Sequence, residues 1–134
     1  MPKFSRTSRD KLMSCDVRLV KLFNAVIKDY DCTIVDGHRS RELQRKYFET
    51  GKSTTMNSKH CFYPSRAVDV APYDKKRKLI PWNDLNQFYH FVGYVRGVAQ
   101  AMQIPIRCGA DWNGDFDLKD QNFNDLPHFE VVAV

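Results

Sequence analysis

Two histidines and two aspartates stand where they could bind and use a metal ion. His60 ends the run STTMNSKH, and Asp69 lies within the apolar run AVDVAPY. Asp125 and His128 come close together in DLPHFEVV near the carboxyl end. Zinc hydrolases commonly use three nitrogen or oxygen ligands and leave a fourth position to water. A neighbouring carboxylate can take the proton of that water. The pattern therefore predicts a small zinc-dependent hydrolase.

Three of the four residues are expected to bind the metal ion, and the fourth is expected to transfer protons. We predict that His60, Asp69 and His128 bind one zinc ion. Asp69 interrupts an apolar strand, where a carboxylate is costly unless it is paired or bound to a metal; the alternative is a position on the solvent face of that strand. Asp125 is predicted to act as general base toward the water and then as general acid toward the departing amine. Cys61, beside His60, is an alternative soft ligand.

A second group of oxygen-bearing side chains alternates along DWNGDFD. Asp111, Asn113, Asp115 and Asp117 have the spacing and the nearby glycine of a calcium loop. The glutamate that closes an EF-hand at the twelfth position is absent, because Asn122 stands there. We expect a polar loop of the active site here, with a calcium site as the alternative.

Charge and cysteine content limit the setting of the protein. The 134 residues carry a formal charge of +5, which suits an anionic partner: nucleic acid, a membrane surface or the bacterial envelope. The run KKRK at 75–78 is interpreted as a solvated loop. The four cysteines form no C-x-x-C pair, and the first residues contain no apolar signal core. We therefore expect free thiols, synthesis in a reducing cytosol, and no membrane insertion.

The order of elements predicts the fold class. Apolar spacing indicates a helix over 8–30, and further helices are expected over 41–49 and from 83 or 84 to about 102. Strands are expected over 32–37, 67–71, 104–112 and 128–134, with loops at 50–65 and 113–127. Because the strands are short and helices group early, we predict one α+β domain over 1–134 with a mostly antiparallel sheet. A parallel doubly wound sheet is the second choice.

These motifs together resemble the LAS group of zinc peptidases, which shares the fold of D-alanyl-D-alanine peptidases and the Hedgehog signalling domain. The most similar branch is that of phage endolysins that act as L-alanyl-D-glutamate peptidases. The family's first metal motif, S-x-H-x-x-G-x-A-x-D, is matched by SKHCFYPSRAVD, with two extra residues and with Ser65 where glycine is usual. DLPHFE matches the second motif, which pairs a catalytic acid with a zinc histidine.

The resemblance also implies roles for residues that the sequence alone leaves open. GHRSRELQ resembles a family segment that places Arg39 at the developing oxyanion and Gln44 in support of the substrate site. An arginine fork suits an oxyanion or a substrate carboxylate. Ser58 maps onto a substrate-contacting serine, and GADWN places Trp112 near the cleft.

The resemblance implies a phage endolysin that cuts an amide in the peptide stem of peptidoglycan. We expect a monomer without a separate wall-binding module, made in the host cytoplasm, acting at the periplasmic wall, and released by a separate membrane-permeabilising protein. Two alternatives stay open. One is a D-alanyl-D-alanine carboxypeptidase or dipeptidase of the same fold. The other is a basic nucleic-acid-binding domain with a structural zinc, although such sites favour four ligands and cysteine.

Overall fold

Four helices and a four-stranded antiparallel sheet make up the part of the chain that the computed structural model describes, residues 2–53, 55–117 and 125–132. The helices are α1 (Arg6–Met13), α2 (Val17–Val26), α3 (Arg41–Glu49) and α4 (Leu85–Ala101). The strands are β1 (Cys32–Asp36), β2 (Ala67–Pro72), β3 (Ile106–Cys108) and β4 (His128–Val131). A short 3₁₀ segment at Lys59–Cys61, here called the His60 turn, precedes β2. The predicted α+β class with an antiparallel sheet is confirmed.

One face of the sheet is apolar and the other carries polar groups. The strand order is β1-β2-β4-β3. Alternate side chains of β2 and β4, among them Val68, Val70, Phe129 and Val131, join the core. Helices α2 and α4 cover that face, and Phe129 packs edge-on against Phe23 of α2 with ring centroids 5.4 Å apart. The residues that alternate with them, Asp69 of β2 and His128 and Glu130 of β4, therefore point to the opposite face.

The single helix expected over 8–30 is wrong, because the chain breaks between α1 and α2. Asp16 caps α2 by accepting a hydrogen bond from the backbone N–H of Arg18. Around it, the backbone of Asp16 and Ser14 pairs with Ser65, through N···O distances of 2.8 and 2.9 Å. Apolar periodicity continues across this break and hides it. The pairing ties the helices to the segment that leads from the His60 turn into β2.

The other elements follow the expected order with shorter strands. Helix α3 begins after Ser40 and α4 after Asp84, and each of these two residues caps its helix by accepting a backbone N–H. The strand expected over 104–112 covers only Ile106–Cys108, because the chain turns at 109–110. The last strand runs from His128 to Val131, and residues 133–134 lie outside the described part.

Among residues 2–53, 55–117 and 125–132, no helix has the length and apolar character needed to cross a bilayer.

Candidate metal centre and active site

The polar face of the sheet lines up three acidic or imidazole side chains on three neighbouring strands. In the ladder, Asp69 of β2 is paired with His128 of β4 on one side and with Asp36 of β1 on the other. The register of β1 shifts between Ile34 and Asp36. Such a bulge inserts a residue and re-aims the side chain that follows it. It places Asp36 directly beside Asp69 instead of on the apolar face.

His60 reaches the same point from the turn that bears it. The side chain of Ser58 caps this turn by accepting from the backbone N–H of His60 at 3.1 Å. The backbone carbonyl of Gly37 accepts from Nδ1 of His60 at 2.7 Å, so Nε2 faces the sheet. A glycine is needed at 37 because an added Cβ would lie 2.2 Å from the carbonyl oxygen of Lys11 in α1. Close packing of the two backbones thus sets the direction of the ring.

The three predicted ligands converge as a metal site requires. Nε2 of His60 lies 3.2 Å from Oδ1 of Asp69, and Nδ1 of His128 lies 3.3 Å from the same oxygen. All three ligand atoms lie within 4.8 Å of one another. With metal–ligand bonds of about 2.0–2.1 Å and tetrahedral angles, two ligand atoms should be roughly 3.3 Å apart. Cys61 is not in this group, and its Sγ lies 4.0 Å from the carbonyl oxygen of Ser40.

The hydrogen bonds on the outer side of the rings favour a cation between them. The backbone carbonyl of Gly37 accepts a hydrogen bond from Nδ1–H of His60, and Oε1 of Glu130 accepts one from Nε2–H of His128 at 2.8 Å. A neutral imidazole has one N–H, so each ring then turns a lone pair toward the carboxylate of Asp69. Groups so arranged repel one another unless a cation or an extra proton lies among them. Two nitrogens and one oxygen are donors that suit zinc.

The pKa values of the ligand side chains show the same demand for positive charge. Burial lowers the pKa of His128, but hydrogen bonds to Asp69 and Glu130 outweigh burial and raise it to about 9. For Asp69, burial raises the pKa, yet hydrogen bonds from His128 and His60 outweigh it and hold the pKa well below its usual value. A metal ion would take the place of the additional proton on His128, because ligands bind in their deprotonated form.

Asp125 stands beside this group without belonging to it. Its Oδ2 lies 3.8 Å from Nδ1 of His128, and its side chain is 33% exposed to solvent. Burial, followed by the negative charge of Asp69, raises the pKa of Asp125 above its usual 3.8. A carboxylate with a raised pKa that faces the site matches the needs of a proton-transfer group.

Arg39 is almost fully buried, and its guanidinium is held from several directions. Nε and Nη2 donate to Oδ2 of Asp36 at 3.0 and 2.8 Å, and Nη2 also lies 3.4 Å from Oδ2 of Asp69. Nη1 donates to Gln44 at 2.7 Å. Gln44 has no exposed surface and itself donates to Ser53 and Thr55. Gln44 thus lies behind Arg39, which in turn fixes the outer oxygen of Asp69.

A cleft of about 850 Å³ opens over the metal group. Ser58 and Trp112 both line it, and the ring of Trp112 lies 5.1 Å from that of His128. Aromatic and basic side chains extend the lining: Tyr47, Lys52 and Trp82. The predicted zinc-binding, catalytic and substrate-binding residues, with the exception of Gln44, therefore border one cleft, whereas Cys61 and the four alternating residues of 111–117 do not line it.

The alternative of a calcium site at 111–117 gains no support. In the described part of the chain, His60, Asp69 and His128 are the group of potential ligands that converges. Oδ2 of Asp111 accepts from Arg96 at 3.0 Å and from the backbone of Phe116 at 2.9 Å. Asn113 accepts from the backbone N–H of Asp115, and Asp115 accepts from that of Asp117. Asn122 lies outside the described residues.

Comparison with known proteins decides the family. A family model described as phage L-alanyl-D-glutamate peptidase matches residues 1–132. The chain belongs to this family. It is 30% identical over 136 residues to the L-alanyl-D-glutamate peptidase of Escherichia phage T5, with 97% of this chain and 98% of that protein covered.

A solved structure supports the fold of the peptidase. The crystal structure of the Serratia marcescens L-Ala D-Glu endopeptidase ChiX superposes with a TM-score of 0.76. It is 22% identical and covers 98% of this chain and 91% of that one. The resemblance inferred from the sequence motifs is thus confirmed for family and fold.

Two contacts in the site of the peptidase were not predicted from its sequence. Asp36 holds Arg39, and Glu130 holds His128. A signal for Glu130 was present, since residues two apart in a strand share a face, and HFE places Glu130 beside His128. Asp36 ends the apolar run of β1, and alternation assigns it to the wrong face because the bulge cannot be read from the sequence.

Proposed function

We propose that this chain is a zinc-dependent peptidase that hydrolyses the L-alanyl-D-glutamate amide in the peptide stem of peptidoglycan. The observation that carries the proposal is the convergence of His60, Asp69 and His128 under an open cleft, with Asp125 next to the group. The bond assigned is the one named for the matched family and for the phage T5 relative.

Zinc in this site would polarise the scissile carbonyl and lower the pKa of a water molecule from its bulk value to near neutrality. Asp125 takes the proton of the attacking water on its carboxylate. It then gives that proton to the nitrogen of the departing amine, so that the amide bond breaks and the carboxylate is restored. The raised pKa of Asp125 suits both steps, because the group must hold a proton between them.

Arg39 supplies the fixed positive charge of the site. It lines the cleft and stabilises the oxyanion that develops on the carbonyl oxygen. Because the same guanidinium lies 3.4 Å from Oδ2 of Asp69, it also keeps Oδ1 turned to the two rings. Gln44 positions Arg39 from behind, and its part in substrate binding is through that contact. Ser58 and Trp112, which both line the cleft, contact the peptide stem.

The setting of the reaction follows from the substrate. The peptidase is made in the host cytoplasm and acts as a monomer at the periplasmic wall. A separate membrane-permeabilising protein gives it access. The net charge of +5 favours attraction to the anionic envelope.

Mass spectrometry of digested peptidoglycan tests the bond that is cut. Purified Gram-negative peptidoglycan is incubated with the protein, and the new termini are identified. Free amino groups on D-glutamate are expected. Release of D-alanine would instead show a D-alanyl-D-alanine peptidase, the alternative with the same metal chemistry.

Chelation tests the dependence on metal. A chelator should abolish the loss of turbidity of permeabilised Gram-negative cells, and added zinc should restore it. Unchanged lysis in the chelator would contradict the metal site. A purely structural zinc would call for four protein ligands, whereas the described residues bring three together beside a cleft.

A further inference from the structure

Glu130 is a buried carboxylate that touches a metal ligand without being one. It lies two residues after His128 on β4, so both side chains point to the polar face of the sheet. They are 5% and 7% exposed, and Oε1 of Glu130 lies 2.8 Å from Nε2 of His128. The other ring nitrogen, Nδ1, faces Asp69 at 3.3 Å. The two sides of the imidazole therefore have distinct tasks.

The contact decides which nitrogen of His128 is available to a metal. A carboxylate accepts hydrogen bonds and a neutral imidazole carries one N–H, so Glu130 keeps the hydrogen on Nε2 and the lone pair on Nδ1. For His60, the corresponding acceptor is the backbone carbonyl of Gly37, which no side-chain substitution removes. Glu130 is thus the side chain through which this control can be tested.

Glu130 also joins the two segments that carry the histidines. Its Oε2 lies 3.2 Å from Nζ of Lys59 and 3.9 Å from Nη1 of Arg107. Lys59 is the residue before His60 in the His60 turn. One carboxylate on β4 therefore holds the ring of His128 through one oxygen and forms an ion pair with the side chain of Lys59, the neighbour of His60, through the other.

We propose that Glu130 is a positioning residue of the metal centre: by keeping the hydrogen on Nε2 of His128, it presents Nδ1 of that ring to the metal. Carboxylates that hold the outer nitrogen of a ligating histidine fix the ring's orientation, and their loss typically weakens metal binding by about 10- to 100-fold. This role rests on the metal site proposed above.

Three variants distinguish the loss of the hydrogen-bond acceptor of Glu130 from the loss of its negative charge and from general destabilisation of the fold. Glu130→Leu removes the acceptor, and its zinc Kd is expected to rise by about 10- to 100-fold in competition with a chromophoric chelator. Glu130→Gln keeps an oxygen that can accept from Nε2, and it should restore most of the affinity. Ser8→Ala is the control: it removes another buried hydrogen bond, 3.1 Å to the backbone N–H of Ile34, away from the cleft, and should bind zinc as the wild type does.

A measurement on the wild type completes the test if Glu130→Leu fails to fold. Nitrogen-15 NMR of the zinc-loaded protein should show metal on Nδ1 of His128 and a hydrogen on Nε2. Metal on Nε2 would overturn the proposal. So would a zinc affinity equal to that of the wild type in folded Glu130→Leu, or a loss of zinc affinity in Glu130→Gln as large as that in Glu130→Leu. Failure of the wild type to bind zinc would overturn the metal site itself, whereas these results concern Glu130 alone.

Discussion

Gly109 offers a way to move the proton-transfer group while leaving the ligands in place. This residue follows β3; its N–H donates to the carbonyl of His128 at 2.8 Å, and its carbonyl accepts from the N–H of Asp125 at 3.0 Å. A Cβ at 109 would lie 2.0 Å from the carbonyl oxygen of Asp125, 2.8 Å from its carbonyl carbon and 2.9 Å from its Cβ. Gly109→Ala must therefore displace Asp125.

The size of the displacement can be worked out from these contacts. Real Cβ atoms essentially never approach another atom within 3.0 Å, so the carbonyl of Asp125 has to retreat by about 1.0 Å (3.0 − 2.0). The atoms in the way are main chain and Cβ, which leaves no flexible side chain to yield. His128 lies in a strand paired on both sides, whereas Asp125 lies in the turn before it. Asp125 should move more than His128.

A misplacement of about 1 Å can cost on the order of 100-fold in rate. We expect Gly109→Ala to lower kcat/KM by about 100-fold, equivalent to about 2.7 kcal/mol of transition-state stabilisation. Zinc affinity should change by less than about threefold, since the outer contacts of the ligands are kept. The assay is release of new amino groups from purified peptidoglycan, with zinc Kd measured on the same preparation.

Gly93→Ala is the matched control for this substitution. An added Cβ at Gly93, in α4, meets no atom within 4 Å. It should leave turnover unchanged and stabilise the helix by up to about 1 kcal/mol. Wild-type turnover in a natively folded Gly109→Ala would refute the reasoning. A joint loss of zinc and turnover would show that His128, not Asp125, is what moves.

Further predictions concern the general base, the thiols and the core. Asp125→Asn should keep zinc but lose turnover by about 10²- to 10⁴-fold; loss of zinc as well would recast Asp125 as a ligand. Because ionised Asp125 is the active form and burial raises its pKa, the acid limb of kcat/KM in the wild type should lie above pH 3.8, and a midpoint below that value would contradict the assignment. Iodoacetamide at pH 8 should label Cys61 in the native protein, because the other three thiols are buried. Burial also raises the pKa of Cys15 and Cys108 to about 12. Peptide mapping that found Cys15 and Cys108 labelled would count against this burial. Phe23→Ala should lower the free energy of unfolding by about 3–5 kcal/mol in denaturant titration, and a loss below about 1 kcal/mol would contradict its place in the core.

The elements that could be predicted are those whose signal is local. Strand β2 is predictable because AVDVA alternates in the manner of a strand, and α3 because Ser40, a residue typical of an N-cap, precedes RELQRKYFE. The family resemblance added Arg39 and Gln44, which residue type alone would not single out. The hydrogen bond between these two side chains, 2.7 Å long, agrees with their assignment to one site.

The features that could not be predicted depend on contacts between distant segments. The break before α2 requires Ser65, which lies some fifty positions away and pairs with the chain at Asp16. The bulge in β1 turns Asp36 toward the site, against the alternation that the sequence implies. Periodicity describes one segment at a time, so neither feature leaves a trace in it.

Anomalous diffraction at the zinc edge from crystals of the loaded protein is the most direct test of the central claim. We predict a single strong peak at bonding distance, about 2.0–2.2 Å, from Nε2 of His60, Oδ1 of Asp69 and Nδ1 of His128, with the remaining position open to the cleft. A peak held by other residues, or two imidazoles that do not share the ion, would contradict the account.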